Sequence, residues 1–229
     1  MWLLSLAIAP VGALFFFFYF KDRYEKEPKA LLLRVFAMGA LGVLPAVAIG
    51  IFLQKQVGGA FQFAPTVKLL VDNFLFIGLV EESIKYLVLF SLVISNSAFN
   101  EPYDGILYAV TASLGFATLE NVLYVINGGW QIAIMRGMLA VPAHALFGVF
   151  MGYYLGLAKF TDSLKQKKKY FILALLIPTV LHGTYNSLLS TQQIGYVLMV
   201  LPLSYYMWVN ALRRAKEQGD ASPFKAVDS

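Results

Sequence analysis

The sequence predicts an all-α fold, a polytopic bundle of membrane-spanning helices. The chain has 229 residues, of which 59% are hydrophobic and 14% are charged, and its mean hydropathy is +0.68. A water-soluble domain of this length carries more charged and polar residues. Apolar runs of about 20 residues, the length that crosses a bilayer core roughly 30 Å thick, recur along the chain. Short segments of alternating hydrophobicity, typical of a membrane β-barrel, are not evident.

Seven apolar runs are predicted to be transmembrane helices of a single domain, residues 1–212. The predicted spans are 1–20, 31–54, 69–95, 105–127, 130–158, 170–190 and 194–211. The first run continues through Phe20 without a basic leading segment, so we expect a retained span rather than a cleaved signal peptide. The fifth run contains Arg136 and Pro142. Residues 213–229 are polar and are predicted to form a cytoplasmic tail.

The basic residues indicate how the bundle is oriented. Clusters of lysine and arginine occupy the first loop, the loop after the fifth span and the tail, which seven spans place on one side of the membrane. Lys55, Lys68 and Arg136 fall on the other side. Because cytoplasmic loops carry an excess of lysine and arginine, we expect the N-terminus outside and the C-terminus in the cytoplasm. The net charge of +5 therefore reports orientation, and we expect no nucleic-acid partner.

Six ionisable side chains lie deep within four consecutive spans, the third to the sixth. They are Glu81, Glu82, Lys85, Glu120, His144 and His182. Each costs about 2.5–3.5 kcal/mol on insertion scales, so such groups usually face the bundle interior and mark function. Alternating span directions place them at a similar membrane depth. The sequence therefore predicts one shared site.

The stretch FIGLVEESIKYLVLF (76–90) contains two adjacent glutamates and a lysine. Lys85 is four residues after Glu81 and three after Glu82, so on a helix it can reach either carboxylate. Two close carboxylates in a low-dielectric site do not both ionise readily without a compensating cation. We expect one glutamate to pair with Lys85 and the other to act as a base, and the sequence leaves open which. A purely structural ion pair is the alternative.

Both histidines of the chain lie in spans with further polar or small residues. His144 begins a stripe of glycines spaced four apart in HALFGVFMGYYLG (144–156). Such stripes let helices approach closely, so His144 is expected to face the bundle interior. Asn186 follows His182 by one turn on the same face and is expected to orient that histidine or to bind an oxyanion. A structural hydrogen bond is the alternative for each.

Carboxylates and histidines in a chain without cysteine suit the activation of water. In one arrangement Glu120, His144 and His182 bind zinc and leave a fourth position for water, with a glutamate of the third span as base. In the other arrangement no metal is used, and Glu81 deprotonates water while the histidines and Asn186 stabilise the oxyanion. The same groups could instead relay protons in a proton-coupled membrane transporter.

Four motifs on successive spans resemble the PrsW family of intramembrane proteases, within the CAAX-protease and bacteriocin-processing superfamily. The motifs are EExxK (81–85), FxxxEN (116–121), HxxxG (144–148) and HxxxN (182–186). The stretches YFKDRYEKEP (19–28) and EPYDGILYAVTASLGFATLEN (101–121) are also similar to that family. The resemblance therefore covers nearly the entire chain.

The resemblance implies a multi-pass protease of the bacterial cell membrane. Its substrate would be a membrane-anchored, single-span anti-sigma factor, which the protease cuts first, at site 1, on the extracytoplasmic side. The expected catalytic residues are Glu81, Glu82, Lys85, Glu120, His144, His182 and Asn186, and the expected metal ligands are Glu120, His144 and His182. The last motif often ends in aspartate in the family, which makes Asn186 a departure. The resemblance does not choose between zinc and a metal-free glutamate mechanism.

Overall fold

The computed structural model of the protein describes residues 2–61 and 63–227, and these ranges contain helices and no β-strand. The prediction of an all-α fold is confirmed. Over the described residues the α-helices are α1 (Trp2–Lys21), α2 (Lys29–Leu41), α3 (Val43–Ala60), α4 (Pro65–Val71), α5 (Val80–Leu92), α6 (Pro102–Met138), α7 (Ala140–Lys159), α8 (Leu164–Ser190), α9 (Ile194–Leu198) and α10 (Val200–Asp220). A π-helical segment, Asp72–Leu79, joins α4 to α5, and a 3-10 turn, Pro223–Val227, follows α10.

Four helical stretches of the described chain are long and apolar enough to cross a membrane. They are Lys29–Ala60, Pro102–Lys159, Leu164–Ser190 and Ile194–Asp220. A shorter apolar helix, Ser5–Lys21, matches the first predicted span. The prediction of membrane-spanning helices agrees with these stretches, whereas the count of seven spans and the orientation of the termini stay predictions.

The stretch Pro102–Lys159 contains 58 residues and folds back on itself. A straight helix of that length would extend about 87 Å at 1.5 Å per residue, nearly three times the thickness of a bilayer core. The chain bends at Gly129, whose φ is 75°. Glycine adopts this left-handed conformation without the steric penalty of a side chain. The bend and the start of α7 at Ala140 therefore allow the two helices to lie side by side.

Glycines from both helices form the contact between α6 and α7, which run antiparallel. A Cβ atom at Gly152 would overlap main-chain atoms of Gly105, and one at Gly156 would lie 2.7 Å from the carbonyl oxygen of Pro102. In membranes, where apolar side chains gain little by leaving lipid, such close backbone packing drives helix association. The glycine stripe that follows His144 therefore packs against α6, as its spacing predicts.

The first half of α6 is the centre of the bundle and is enclosed by α1, α2 and α7. Its residues Ile106 and Tyr108 are fully buried. The outer helical faces instead carry large exposed apolar side chains, among them Phe20, Leu33 and Phe52. Such an apolar outer surface is suited to contact with the lipid chains of a bilayer.

The backbone immediately before the paired glutamates is not regular α-helix. The segment Asp72–Leu79 is π-helical, a geometry that often occurs at functional sites. It packs closely on α8: a Cβ atom at Gly78 would lie 3.3 Å from both the carbonyl oxygen of Thr179 and the amide nitrogen of Gly183. This close approach brings the start of α5 beside the middle of α8.

Helix α10 continues past residue 212, where the sequence places the end of the transmembrane domain, and ends at Asp220. In this extension the side-chain amide of Gln218 donates to the carbonyl oxygen of Tyr153 at 3.4 Å. The hydroxyl of Ser222 donates to the carboxylate of Glu101. Gln218 and Ser222 of the predicted tail therefore contact α7 and the residue that precedes α6.

Candidate active site

A cavity of about 640 Å³ opens between α3, the π-helical segment and helices α6 to α8. Five of the predicted site residues line it, namely Glu81, Glu120, His144, His182 and Asn186. Glu82 and Lys85 are fully buried and contact the two histidines from behind. The structure thus brings the seven predicted residues together from four helices, α5 to α8.

Glu82 and Lys85 form a buried ion pair on α5, with 2.7 Å between Lys85 Nζ and Glu82 Oε1. The same oxygen lies 2.9 Å from His182 Nδ1. Because an ionised carboxylate only accepts hydrogen bonds, Nδ1 of His182 carries the hydrogen, and in the neutral ring Nε2 keeps a free lone pair. Phe147 stacks on the His182 ring with 4.9 Å between centroids. Glu82 and Phe147 therefore fix the orientation of His182.

His144 is held from both sides of its ring. Its Nδ1 lies 3.1 Å from Lys85 Nζ, and its Nε2 lies 3.0 Å from Glu120 Oε2. An ammonium group can only donate, so Nδ1 is the acceptor and Nε2 donates to Glu120. Lys85 thus connects the two glutamates of α5 to the histidine of α7. The rings of His144 and His182 are 5.3 Å apart between centroids.

Arg136 is a site residue that the sequence reasoning missed. Its Nη2 lies 2.8 Å from Glu120 Oε2, and its Nε donates to Asn121 Oδ1 at 3.0 Å. The guanidinium carbon also lies 4.0 Å from the centroid of the Tyr124 ring. The signal was present, because an arginine inside an apolar run is costly unless it is paired. Only the bend at Gly129, which folds the last part of α6 back against its middle, reveals its partner.

Glu81 is held less tightly than the other two glutamates of the site. Its Oε2 is buried and accepts no hydrogen bond. Lys85 Nζ at 3.8 Å and His182 Nε2 at 3.9 Å are both beyond hydrogen-bond distance. Glu82 Oε2 also lacks a partner, but the Glu82 side chain is 0% exposed whereas that of Glu81 is 13% exposed and lines the cavity. Glu81 therefore lies at the cavity wall with a carboxylate that is less constrained than that of Glu82.

Glu81, His144 and His182 form a group whose potential ligand atoms all lie within 4.8 Å of one another. This group shares both histidines with the predicted metal ligands but contains Glu81 in place of Glu120, whose Oε2 is engaged by Arg136 and His144. Two histidines and one carboxylate are a known ligand set of catalytic zinc. His182 can bind a metal through Nε2 without rearrangement, whereas His144 would first have to release Glu120 or Lys85.

Asn186 lies on the cavity wall, one helical turn after His182, and is half-buried. Within the described chain its side-chain amide makes no hydrogen bond to another of the predicted site residues. Its donor is therefore available to a bound ligand, and the expected orienting contact with His182 is not made.

Comparisons with known proteins identify the family of the chain. The family model described as PrsW family intramembrane metalloprotease matches residues 27–212. A protein named Protease PrsW from Bacillus subtilis is 41% identical over 216 residues, 94% of this chain and 94% of that protein. Proteins of the same name from Geobacillus kaustophilus and Clostridioides difficile are 40% identical (96% and 94% covered) and 33% identical (90% and 87% covered). No solved structure matches the chain. The chain belongs to the PrsW family of intramembrane metalloproteases, and it is accordingly a protease whose catalytic chemistry is the hydrolysis of peptide bonds.

Proposed function

We propose that this protease cuts a single-span, membrane-anchored protein, and that its substrate is an anti-sigma factor cleaved at site 1 on the extracytoplasmic side. Family membership supports peptide hydrolysis, and the motif resemblance supports the substrate class. The observation that carries the proposal is the convergence of Glu81, His144 and His182 on one cavity inside a bundle of apolar helices.

In the proposed reaction, water adds to the carbonyl carbon of the scissile peptide bond and the carbon–nitrogen bond then breaks. Glu81 accepts the proton of the water through its carboxylate and passes it to the leaving amine nitrogen. Glu82 and Phe147 hold the His182 ring, which presents Nε2 to the cavity. The amide of Asn186 donates to the carbonyl oxygen as negative charge develops there. This division of roles makes Glu81 the base and Glu82 the positioning acid.

The ligand group of Glu81, His144 and His182 also fits a metal ion, in keeping with the name of the family. We propose zinc, because the donors are two imidazole nitrogens and one carboxylate oxygen. Zinc held by these three residues would supply Lewis-acid polarisation of the carbonyl group. In that version Glu81 serves as a ligand, and Glu120, held by Arg136 at the cavity wall, is the remaining carboxylate that can accept a proton. The metal-free glutamate mechanism keeps Glu81 as the base.

We further propose that the protein is a multi-pass protein of the bacterial cell membrane with seven spans, its N-terminus outside and its C-terminus in the cytoplasm. The distribution of lysine and arginine supports this orientation, and the four long apolar stretches support membrane insertion. A substrate helix must unwind locally before its carbonyl groups can react. Irregular backbone at membrane depth is tolerated where it is buried in protein or lines a water-filled cavity, and the cavity at Glu81 and the two histidines would enclose such a segment.

The proposal is tested with purified protein in liposomes that also contain a tagged single-span anti-sigma factor. The wild type is compared with Glu81→Gln, His182→Ala and the control Glu217→Gln, which alters an exposed glutamate paired with Arg213. We expect a cleavage product from the wild type and the control, and at least about 100-fold slower cleavage by the two site variants. N-terminal sequencing of the product locates the cut. Unchanged cleavage by either site variant contradicts the catalytic assignment.

Two further measurements test the proposed substrate class and the proposed mechanism independently. If the wild type cuts an unrelated single-span peptide but leaves the anti-sigma factor intact, the proposed substrate class is wrong. The assignment of protease activity is then still supported. Elemental analysis of the same preparations is expected to find one zinc per chain in the wild type and much less in His182→Ala. A fully active preparation without metal supports the glutamate mechanism.

A further inference from the structure

A second group of acidic side chains is buried at the other end of α6 from the active site. It comprises Asp22, Glu27, Glu101 and Asp104, each at most 3% exposed. Asp104 and Glu120 are 16 positions apart on α6, which corresponds to about 24 Å along the helix axis. The acidic group is therefore separate from the proposed catalytic residues.

Three of these acids have the geometry of a cation site. One carboxylate oxygen from each of Asp22, Glu101 and Asp104 lies within 4.8 Å of the other two. Both carboxylate oxygens of Asp22, and Oδ1 of Asp104, are buried and receive no hydrogen bond. Asp22 is only 1% exposed, so bulk water does not supply the missing donors. The Asp22 carboxylate therefore faces other carboxylate oxygens and receives no hydrogen bond from them.

Two lysines near this group, Lys26 and Lys159, do not fill this role. Lys26 donates its ammonium hydrogens to the main-chain carbonyl oxygens of Tyr19 and Asp22 rather than to a carboxylate. Lys159 donates to main-chain carbonyl oxygens between α5 and α6. No lysine or arginine of the described residues forms an ion pair with Asp22, Glu101 or Asp104, so these carboxylates have no cationic partner.

Other contacts hold the acids in place while leaving oxygens free. Asp104 Oδ2 accepts the main-chain N–H groups of Asn100 and Glu101 at 2.9 and 2.8 Å, which caps the start of α6. The hydroxyl of Ser222 donates to Glu101 Oε2. Asp104 Oδ1 and both oxygens of Asp22 remain open. Fixed carboxylates with open oxygens are a preorganised set of ligands, which is what a selective cation site requires.

We propose that Asp22, Glu101 and Asp104 bind a hard divalent cation, Mg²⁺ or Ca²⁺, at a structural site distinct from the active site. Oxygen-only donors suit these ions, whereas zinc favours the imidazole groups at the other end of the bundle. The cation joins the loop after α1 to the start of α6 and, through Ser222, to the residues that follow α10.

Manganese serves as the spectroscopic probe, because Mn²⁺ also accepts oxygen ligands and its free form is measured by electron paramagnetic resonance. The full-length protein is purified in detergent, treated with chelator and titrated with Mn²⁺ in a His182→Ala background, which weakens binding at the active site. We expect one bound Mn²⁺ per chain, displaced by Mg²⁺ or Ca²⁺, and the competition shows which of the two binds more tightly.

In the His182→Ala background, the additional substitution Asp22→Asn should weaken Mn²⁺ binding by at least about 10-fold, the smallest loss expected for a group that supports a metal. The additional substitution Glu217→Gln is the control and should leave Mn²⁺ binding unchanged. If Asp22→Asn does not fold, Glu101→Gln replaces it. The thermal midpoint of the wild type should also rise with millimolar Mg²⁺ or Ca²⁺.

The proposal is overturned by no bound Mn²⁺ at millimolar concentration, or by equal binding in the Asp22→Asn variant. It is equally overturned if lowering the pH stabilises the protein but no cation does, because protons would then satisfy the carboxylates. None of these outcomes depends on cleavage, so the proposed protease function is tested separately.

Discussion

The two adjacent glutamates should separate stability from catalysis when each is replaced by glutamine. Glu82 contacts Lys85 at 2.7 Å and His182 at 2.9 Å with no exposure, whereas Glu81 Oε2 makes no hydrogen bond. Glu82→Gln removes the charge that compensates a buried lysine. Glu81→Gln removes no hydrogen bond to Oε2 but eliminates the proposed base. The first change should therefore destabilise the protein, and the second should mainly inactivate it.

The expected magnitudes follow from these contacts. Removing one partner of a buried ion pair costs about 3–5 kcal/mol. Glutamine still offers a carbonyl oxygen to Lys85 and His182, so we expect Glu82→Gln to lower the free energy of unfolding by about 3 kcal/mol, the lower end. Glu81 lies 3.8 Å from Lys85, a distance at which a partly exposed pair contributes less than about 1 kcal/mol. Loss of a general base slows the reaction by about 100- to 10,000-fold.

Unfolding of the detergent-solubilised variants by a denaturing detergent measures stability, and cleavage in liposomes measures activity. Glu217→Gln is the matched control, because it makes the same chemical change at an exposed ion pair, and neither reading should change. If Glu81→Gln loses about 3 kcal/mol and Glu82→Gln loses none, the two roles are reversed. If both variants unfold like the wild type, the reasoning about the buried pair is wrong.

Three further changes test the rest of the site and its support. Gly152→Ala should destabilise the bundle by about 1–3 kcal/mol because its methyl group would overlap Gly105. Gly12→Ala, at a position where nothing lies within 4 Å, is the control. Equal unfolding curves for the two variants would refute the packing argument. Arg136→Gln should reduce the rate of cleavage about 10- to 100-fold by releasing Glu120, and Arg136→Lys should recover part of that rate. A wild-type rate in Arg136→Gln would show that this arginine does not support the site. A strong zinc chelator should abolish cleavage and added zinc should restore it, whereas full activity after chelation favours the metal-free mechanism.

Much of the helical framework could be predicted because membrane insertion leaves a strong signal in the sequence. The runs 31–54 and 170–190 fall within the apolar stretches Lys29–Ala60 and Leu164–Ser190. Other features depend on local detail that hydropathy does not report. The 69–95 run contains a π-helical segment, and Gly129 was not predicted as the bend that brings Arg136 back to Glu120. Family membership also favours hydrolysis over the proton-coupled transporter that the residue types allowed.

Sequence reasoning found the chemical groups of the site because ionisable side chains are costly in apolar helices and therefore stand out. Glu81, Glu120, His144 and His182 could each be identified this way, and the structure brings all four to one cavity. Sequence alone could not assign their partners, since a helix fixes only the contacts three and four residues away.

The sequence by itself determined that this protein is a bundle of apolar helices with carboxylates and histidines inside it. Only the tertiary structure decided that Lys85 pairs with Glu82 at the closer distance, and that Glu120 is bound by Arg136. It also decided that Asp22 meets acids from a distant part of the chain. The physical reason is that hydropathy and spacing act along one helix, whereas charge pairing acts across short distances between helices whose packing is set by glycine contacts.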